Sequence, residues 1–222
     1  QKKLEHVGEA RQISAEFKKA LLDFNDLSLN LQKSLMEVRR VALKAVMQKL
    51  PRMIRDLAKD LGKQVKLEID GDNIQIDKSL IEKLESPITH MVRNSVDHGI
   101  EMPEARAAAD KPQTGTIKVH AECTEELFTL TIKDDGHGID VNRLKKKALE
   151  RKLLTPEEAA AMPDKEAFQL IFHPGLSTAE KITEVSGRGV GMDVVRTNIQ
   201  EMNGVIEVDS ELGKGTTITL TM

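Results

Sequence analysis

The sequence predicts an α+β fold: a two-layer sandwich in which helices cover one face of a mixed sheet, preceded by an all-α segment that is either a helical hairpin or one long helix. Three observations carry this. Apolar residues recur at intervals of three and four through residues 4–60, with no proline before Pro51. Beyond Gly62 the texture changes to short segments that alternate apolar and polar, the period of a half-buried strand. Those strands fall into two adjacent pairs joined by short turns, which favours antiparallel pairing over a doubly wound parallel sheet. The division is placed at residues 60/61, giving a helical segment 1–60 and a compact domain 61–222.

In chain order, Leu21, Leu22, Leu27, Leu31, Leu35, Val38, Val41, Ala45 and Val46 form the first apolar stripe. Asn25, Asp26 and Ser28 suggest a turn that would fold it into a hairpin. The stripe must be covered, by its own globule or by the same helix of a second copy. The stretch LAKDLG at 57–62 reads as a helix end with Gly62 as the cap. Residues 65–69 read as a strand, and Asp77 caps a helix running to about His98. Residues 116–123 and 127–133 form a hairpin around 124–126. Residues 141–152 and 156–172 are helical and charged, and 190–202 is another helix. Residues 205–209 and 216–222 are two more strands, joined by Gly213-Lys214-Gly215. The chain opens mid-helix in character, as a piece of a longer protein would.

Composition narrows the function. The chain is 39% hydrophobic and 31% charged, with 33 basic and 36 acidic residues and a net charge of −3. That balance, with no Trp or Tyr and five Phe, supplies neither a basic face nor stacking platforms for nucleic acid. No apolar run approaches the ~18 residues of a membrane span, so no membrane insertion is expected. Cys123 is the single cysteine, which allows no internal disulfide and fits a reducing cytoplasm.

Four segments carry chemistry. In HMVRNSVDHGIE at 90–101, His90, Asn94, Asp97 and His98 share one face of a helix, and Leu84, Ile88, Met91, Val92 and Val96 share the other. A stripe of amide, imidazoles and carboxylate is either an unusual solvated surface, the wall of a ligand site, or half of a zinc site. The last lacks a second His or Cys cluster to complete it. KDDGHGID at 133–140 runs a strand into two glycines; its carboxylate can accept from an exocyclic amine, although the same pattern also suits a hairpin turn. SGRGVGMDVV at 186–195 runs alternating glycines into a helix N-terminus, a ready anion site that matches neither the Walker A loop nor the dinucleotide fingerprint. GKGTT at 213–217 adds a glycine turn with hydroxyls and a lysine.

The order of these segments resembles the ATP-binding fold shared by gyrase, Hsp90, histidine kinases and MutL. In finer wording, HMVRNSVDHGIE, DDGHGID, IFHPGLST, SGRGVGMDVV and GKGTTITL resemble the CheA-type chemotaxis histidine kinases, over about residues 31–222. LQKSLMEVRRVALKAVMQKLPRMIRDLAKDLGK at 31–63 resembles that family's second dimerisation helix and its junction with the kinase domain.

The resemblance implies an ATP-dependent protein-histidine kinase of the cytoplasm, using ATP and Mg²⁺. Asn94, with His90 beside it, would hold Mg²⁺ on the phosphates. His90 stands where the ATPase relatives carry a catalytic glutamate. Asp97 and His98 would line the nucleotide site. Asp134 would receive the adenine amino group, with Gly136 and Gly138 giving it room. Arg143 and Lys147 would reach phosphates. Ser186, Gly187, Arg188, Gly189, Val190 and Gly191 would form the phosphate-cradling base of an ATP lid spanning roughly 141–186. Thr216 would touch the nucleotide from the last turn.

The implied partners are a phosphoacceptor histidine domain, in the full-length protein or a partner, a downstream response regulator and a receptor-coupling protein. A homodimer would form through the N-terminal helices. Segment 1–60 would be a truncated dimerisation module and 61–222 the catalytic domain. Departures from the family pattern are Ala42 where proline is common, Arg143 for lysine and Leu176 for phenylalanine. The chain stops where a receptor-coupling domain would begin. None of the six histidines sits in a phosphoacceptor context: His6 precedes valine rather than an acid, His120 lies in a strand, His137 lies between glycines and His173 precedes proline. The competing class is a gyrase- or Hsp90-like ATPase switch, against which the missing glutamate at position 90 speaks.

Overall fold

The structure, a computed structural model, describes residues 17–31, 34, 39–124, 127–176 and 191–222. It divides into two compact units, Gln1–Val41 and Ala42–Met222. In the first, residues 17–31 are one uninterrupted helix, so no turn forms at Asn25, Asp26 and Ser28. Their helix-propensity deficit is only a few tenths of a kcal/mol each, too little to break a leucine-rich helix. Phe17, Leu21, Leu22, Phe24, Leu27 and Leu31 are all exposed.

The second unit begins its ordered packing at buried Leu43 and a helical turn, Lys44–Met47. Helix α1 (Leu50–Asp60) has Pro51 in its first turn, where a missing N–H costs nothing. Leu50, Ile54 and Ala58 lie four residues apart and are buried in the same core as the sheet. The predicted boundary at 60/61 therefore falls inside this unit. Gly62 ends α1 as expected, with φ of 68° and a bond from Lys63 N–H to the Ala58 carbonyl of 2.8 Å.

The strands are β1 (Val65–Asp70), β2 (Gly115–Cys123), β3 (Phe128–Asp134), β4 (Val205–Glu211) and β5 (Gly215–Thr221). Their order across the sheet is β1-β2-β3-β5-β4. β1 runs parallel to β2 in the register Val65↔Gly115, and the remaining pairs are antiparallel. The sheet is mixed, as predicted. Alternation decides its two faces. Ile117, Val119, Leu130, Ile132, Ile218, Leu220 and Val208 point into the core, each contributing about 1.5–3 kcal/mol of apolar burial. Lys118, His120, Lys133, Glu207 and Asp209 point the other way and are exposed.

The core is closed by α2 (Lys78–Asn94) and α7 (Met192–Glu201). Asp77 caps α2 as predicted, accepting from Ser79 N–H at 2.7 Å. Leu84, Ile88, Met91, Val92 and Val96 are fully buried, the apolar face read from the sequence. A short helix α3 (Pro103–Ala108), which the sequence reading did not foresee, lies between α2 and β2. Between β3 and α7 come α4 (Val141–Glu150), α5 (Pro156–Ala161), α6 (Asp164–Phe168) and a 3-10 turn Gln169–Phe172. The single helix expected over 156–172 is thus three pieces. Pro163 forces Met162 out of the helical region and ends α5. Phe168 and Phe172 are part of the main core, so the described part of the expected lid is anchored to the domain.

Candidate functional site

Helix α2 does not stop at Asn94. It widens into a π-helical turn, Ser95–Gly99, closed by Ile100 N–H donating to the Ser95 carbonyl at 2.8 Å. Such single-turn widenings inside α-helices concentrate at functional sites. Here the extra residue turns Ser95 inward while Asn94 and His98 stay on the open side. Lys63 holds the turn from outside, its Nζ donating to the carbonyls of Val96 (2.8 Å) and Asp97 (2.6 Å).

Ser95 meets Asp134 at the end of β3. The Asp134 carboxylate is 4% exposed. Its Oδ2 accepts from Ser95 Oγ at 3.0 Å, and its Oδ1 accepts from the N–H groups of Gly136 (3.0 Å) and Thr216 (3.3 Å). Burial pushes its pKa above the ordinary aspartate range, against the lowering effect of the Gly136, Ser95 and Thr216 donors. A carboxylate held this way has its protein donors fixed and a preformed acceptor left for a ligand N–H.

A cavity of 530 Å³ opens over this carboxylate. Met91, Ile139 and Ile218 give it apolar walls suited to a flat ring. Arg143 and Lys147, one turn apart on α4, and Asn94 and His98 from α2 give it a cationic and hydrogen-bonding side. Asp140 sets the start of α4 by accepting from Arg143 N–H at 3.0 Å. An apolar slot with a buried carboxylate and two cations matches a base joined to a polyanion.

Of the residues singled out in the sequence, the cavity brings together Asn94, His98, Asp134, Gly138, Arg143, Lys147 and Thr216. His90, Asp97, Gly136 and Gly191 do not line it. His90 is half-buried one turn before Asn94; burial lowers its pKa, with Arg93 and His98 acting in the same direction and Asp193 opposing. Asp97 faces outward and sits 3.6 Å from His98. Gly136 packs behind the loop, where a Cβ would come within 2.1 Å of the Gly99 carbonyl oxygen. Gly138, at φ 73°, would drive a Cβ to 2.3 Å from the Glu211 carbonyl oxygen, so the protein's own backbone demands a glycine there. Gly191 is the N-cap of α7. Ser186, Gly187, Arg188, Gly189 and Val190 lie outside the described residues. His137 also lines the cavity, and its Nδ1 bonds the Gly138 carbonyl. His120 pairs with Asp70 at 2.9 Å on the far face of the sheet. Among the described residues no cluster of three His, Cys, Asp or Glu could hold a metal, which removes the zinc reading there.

Ser95 escaped the sequence reading because nothing in the residues announces a π turn. Met91 and Met192 escaped because a cavity wall and a core residue read alike.

A mixed sheet covered by helices, with a cavity between an asparagine-bearing helix and a strand-end carboxylate, is the architecture of a nucleotide-binding ATPase domain. Residues 81–222 match the histidine kinase-, DNA gyrase B- and HSP90-like ATPases, and the chain belongs to that family. Within it, the chain is similar to the CheA chemotaxis protein of Salmonella typhimurium, at 48% identity over 86% of this chain and 28% of that protein. It is similar to the sensor histidine kinase CheAY of Helicobacter pylori at 45% identity, over 91% of this chain and 25% of that one. The chain thus spans about a quarter of the length of these relatives. Its fold is shared with the catalytic domain of the histidine kinase ThkA, with a TM-score of 0.50 and 14% identity over 82% of this chain and 92% of that one.

Proposed function

We propose that this chain is the ATP-dependent kinase core of a chemotaxis-like two-component system, transferring the γ-phosphate of ATP to a histidine on a separate phosphotransfer domain. The observation that carries the reading is the pairing, in one cavity, of a buried carboxylate at Asp134 with the cations Arg143 and Lys147 beside Asn94. Asp134 accepts from the adenine amino group while Arg143 and Lys147 meet phosphate charge. Ser186, Gly187, Arg188, Gly189, Val190 and Gly191 would form the phosphate-cradling base of a lid, and Thr216 would border the base.

Asn94 suits Mg²⁺, a hard cation that takes an amide oxygen readily and draws its other ligands from phosphates and water. Bound there, it would neutralise charge on the transferring group. The imidazole of His90 is a poor Mg²⁺ ligand by the same reasoning, and its lowered pKa keeps it neutral beside Asn94. The absence of a carboxylate at position 90 fits an acceptor that needs no strong base. The lone pair of a neutral acceptor imidazole forms the N–P bond, the bond from γ-phosphorus to the β–γ bridging oxygen breaks, and ADP leaves with that electron pair.

The exposed leucines of helix 17–31 support a homodimer through the N-terminal segment. A response regulator and a receptor-coupling protein complete the proposed cytoplasmic system. Incubation with labelled ATP and a phosphoacceptor histidine domain tests the assignment. Acid-labile, base-stable label on that domain supports it. Free phosphate alone points to an ATPase switch, and nucleotide binding without either product to a scaffold.

A further inference from the structure

The loop that carries Asp134 is held from behind by four charged side chains that the nucleotide reading leaves unused. Arg106 is 1% exposed and is the buried residue of α3. Its Nη1 donates to Glu101 Oε2 (2.9 Å) and to the Asp135 carbonyl (3.1 Å), its Nη2 to Asp135 Oδ2 (3.1 Å), and its Nε to the Pro112 carbonyl (2.6 Å). Lys111 Nζ donates to Glu101 Oε1 (2.8 Å), to the Asp135 carbonyl (3.1 Å) and to the Gly136 carbonyl (2.7 Å). The helix end aims the lysine: Asp110 takes φ 55°, and Lys111 N–H closes back on the Arg106 carbonyl at 2.9 Å.

Two cations therefore converge on one carbonyl, that of Asp135. The peptide group joining Asp135 to Gly136 is planar, and its carbonyl and N–H point in opposite directions. Its other end is the Gly136 N–H that donates to Asp134 Oδ1 at 3.0 Å. Drawing the carbonyl toward Arg106 and Lys111 thus aims and polarises the N–H that fixes the Asp134 carboxylate. Two cations and two carboxylates balance in charge. An ionic cluster built around one buried arginine stabilises a fold little better than apolar packing would, but it tolerates only one loop geometry.

We propose that Arg106 and Lys111 are positioning residues for purine selection: by locking the Asp135–Gly136 peptide they hold Asp134 where it accepts from a 6-amino purine and rejects a 6-oxo purine. This rests on the reading that Asp134 meets the base. A 6-oxo group presents an acceptor where the site already has one, and the discrimination lasts only while the carboxylate cannot turn away.

The test uses the whole chain and measures dissociation constants for ADP and GDP by calorimetry, with melting temperatures alongside. Lys111→Met keeps the length and removes the charge. It is expected to weaken ADP binding about tenfold with little change for GDP, so that the adenine preference falls about tenfold, a loss of one hydrogen-bond-sized increment. Lys111→Arg should restore most of the preference. Should Lys111→Met fail to fold, Glu101→Gln, which weakens the anchoring of both cations, is expected to shift the preference in the same direction. A folded Lys111→Met or Glu101→Gln protein whose ADP-to-GDP ratio stays within about twofold of the parent overturns the proposal, as does an equal loss for both nucleotides, which marks general damage. Asp134→Ala separates the two ideas. If it abolishes the preference while Lys111→Met keeps it, the positioning role alone fails; if Asp134→Ala keeps the preference, the adenine reading fails and the positioning role with it.

Discussion

Replacing Asp134 by asparagine separates the stability of this site from its use. The carboxylate is buried, and three donors from Ser95, Gly136 and Thr216 do not fully offset its desolvation, since its pKa stays above the ordinary aspartate range. Asparagine keeps Oδ1 as acceptor for Gly136 and Thr216, while its amide nitrogen turns Ser95 Oγ from donor into acceptor. What it loses is the charge and the Oδ2 acceptor. A hydrogen bond to a charged group contributes roughly 1.5–3 kcal/mol, so nucleotide affinity should fall by about 10–150-fold. Stability should move the other way. With its folded pKa raised, the folded state of the parent binds a proton more readily than the unfolded chain. Its relative stability is therefore present at low pH and lost as pH rises from the ordinary aspartate range through the folded pKa. Asp134→Asn lacks that loss, so at pH 7 its melting temperature should equal or exceed the parent's, and the difference should vanish in acid. Calorimetry with ADP and thermal melts at pH 4 and pH 7 measure both. Unchanged affinity, or a melting temperature at pH 7 lowered by more than about 4 °C, the equivalent of 1 kcal/mol or more for a domain of this size, would refute the reasoning.

Other substitutions probe the remaining parts. Asn94→Ala should cut phosphotransfer at least about 100-fold with nucleotide binding in EDTA nearly unchanged; near-normal transfer rates sink its role as Mg²⁺ ligand. His90→Glu should increase release of free phosphate relative to transfer, by up to about 100-fold, as a base is restored beside Asn94; an unchanged partition measured with labelled ATP contradicts the account. His90 has a lowered pKa, so the stability it contributes is present above the ordinary imidazole range and is lost as pH falls through its folded value. His90→Gln should flatten the drop in melting temperature between pH 7 and pH 5, and an equally steep drop in the variant excludes His90 as its source. Leu21→Glu together with Leu27→Glu, both on the exposed apolar side of helix 17–31, should leave nucleotide affinity intact and lower the sedimentation mass to that of one chain; a mass unchanged from the parent's removes the dimer proposal for this segment.

The sheet and the helix α2 were legible because burial writes a period into the residues. Ile117, Val119 and Ala121 alternate with Lys118 and His120, and Leu84, Ile88, Met91 and Val92 repeat at helical spacing. The glycine-bearing loop at 134–138 was legible through its motif. The π turn was not, because Ser95–Gly99 differs from an α-turn only in which carbonyl Ile100 finds. The ion cluster was not, because Arg106 and Lys111, both paired with Glu101, converge on Asp135 across a gap of more than twenty residues and read separately as surface charge. The attachment of α1 to the sheet was not legible for a similar reason: its stripe continues the apolar pattern of the preceding residues, and only packing reveals that Leu50, Ile54 and Ala58 belong to the sheet's core.

The central claim is that this cavity takes ATP and sends its phosphate to a histidine. Mixing the chain with γ-labelled ATP, Mg²⁺ and a separate phosphoacceptor histidine domain tests it most directly. The account predicts ATP-dependent label on that domain that survives base and is lost in acid, and that disappears with Asn94→Ala. Label found only as free phosphate, or none on the histidine domain although ATP binds, would contradict it.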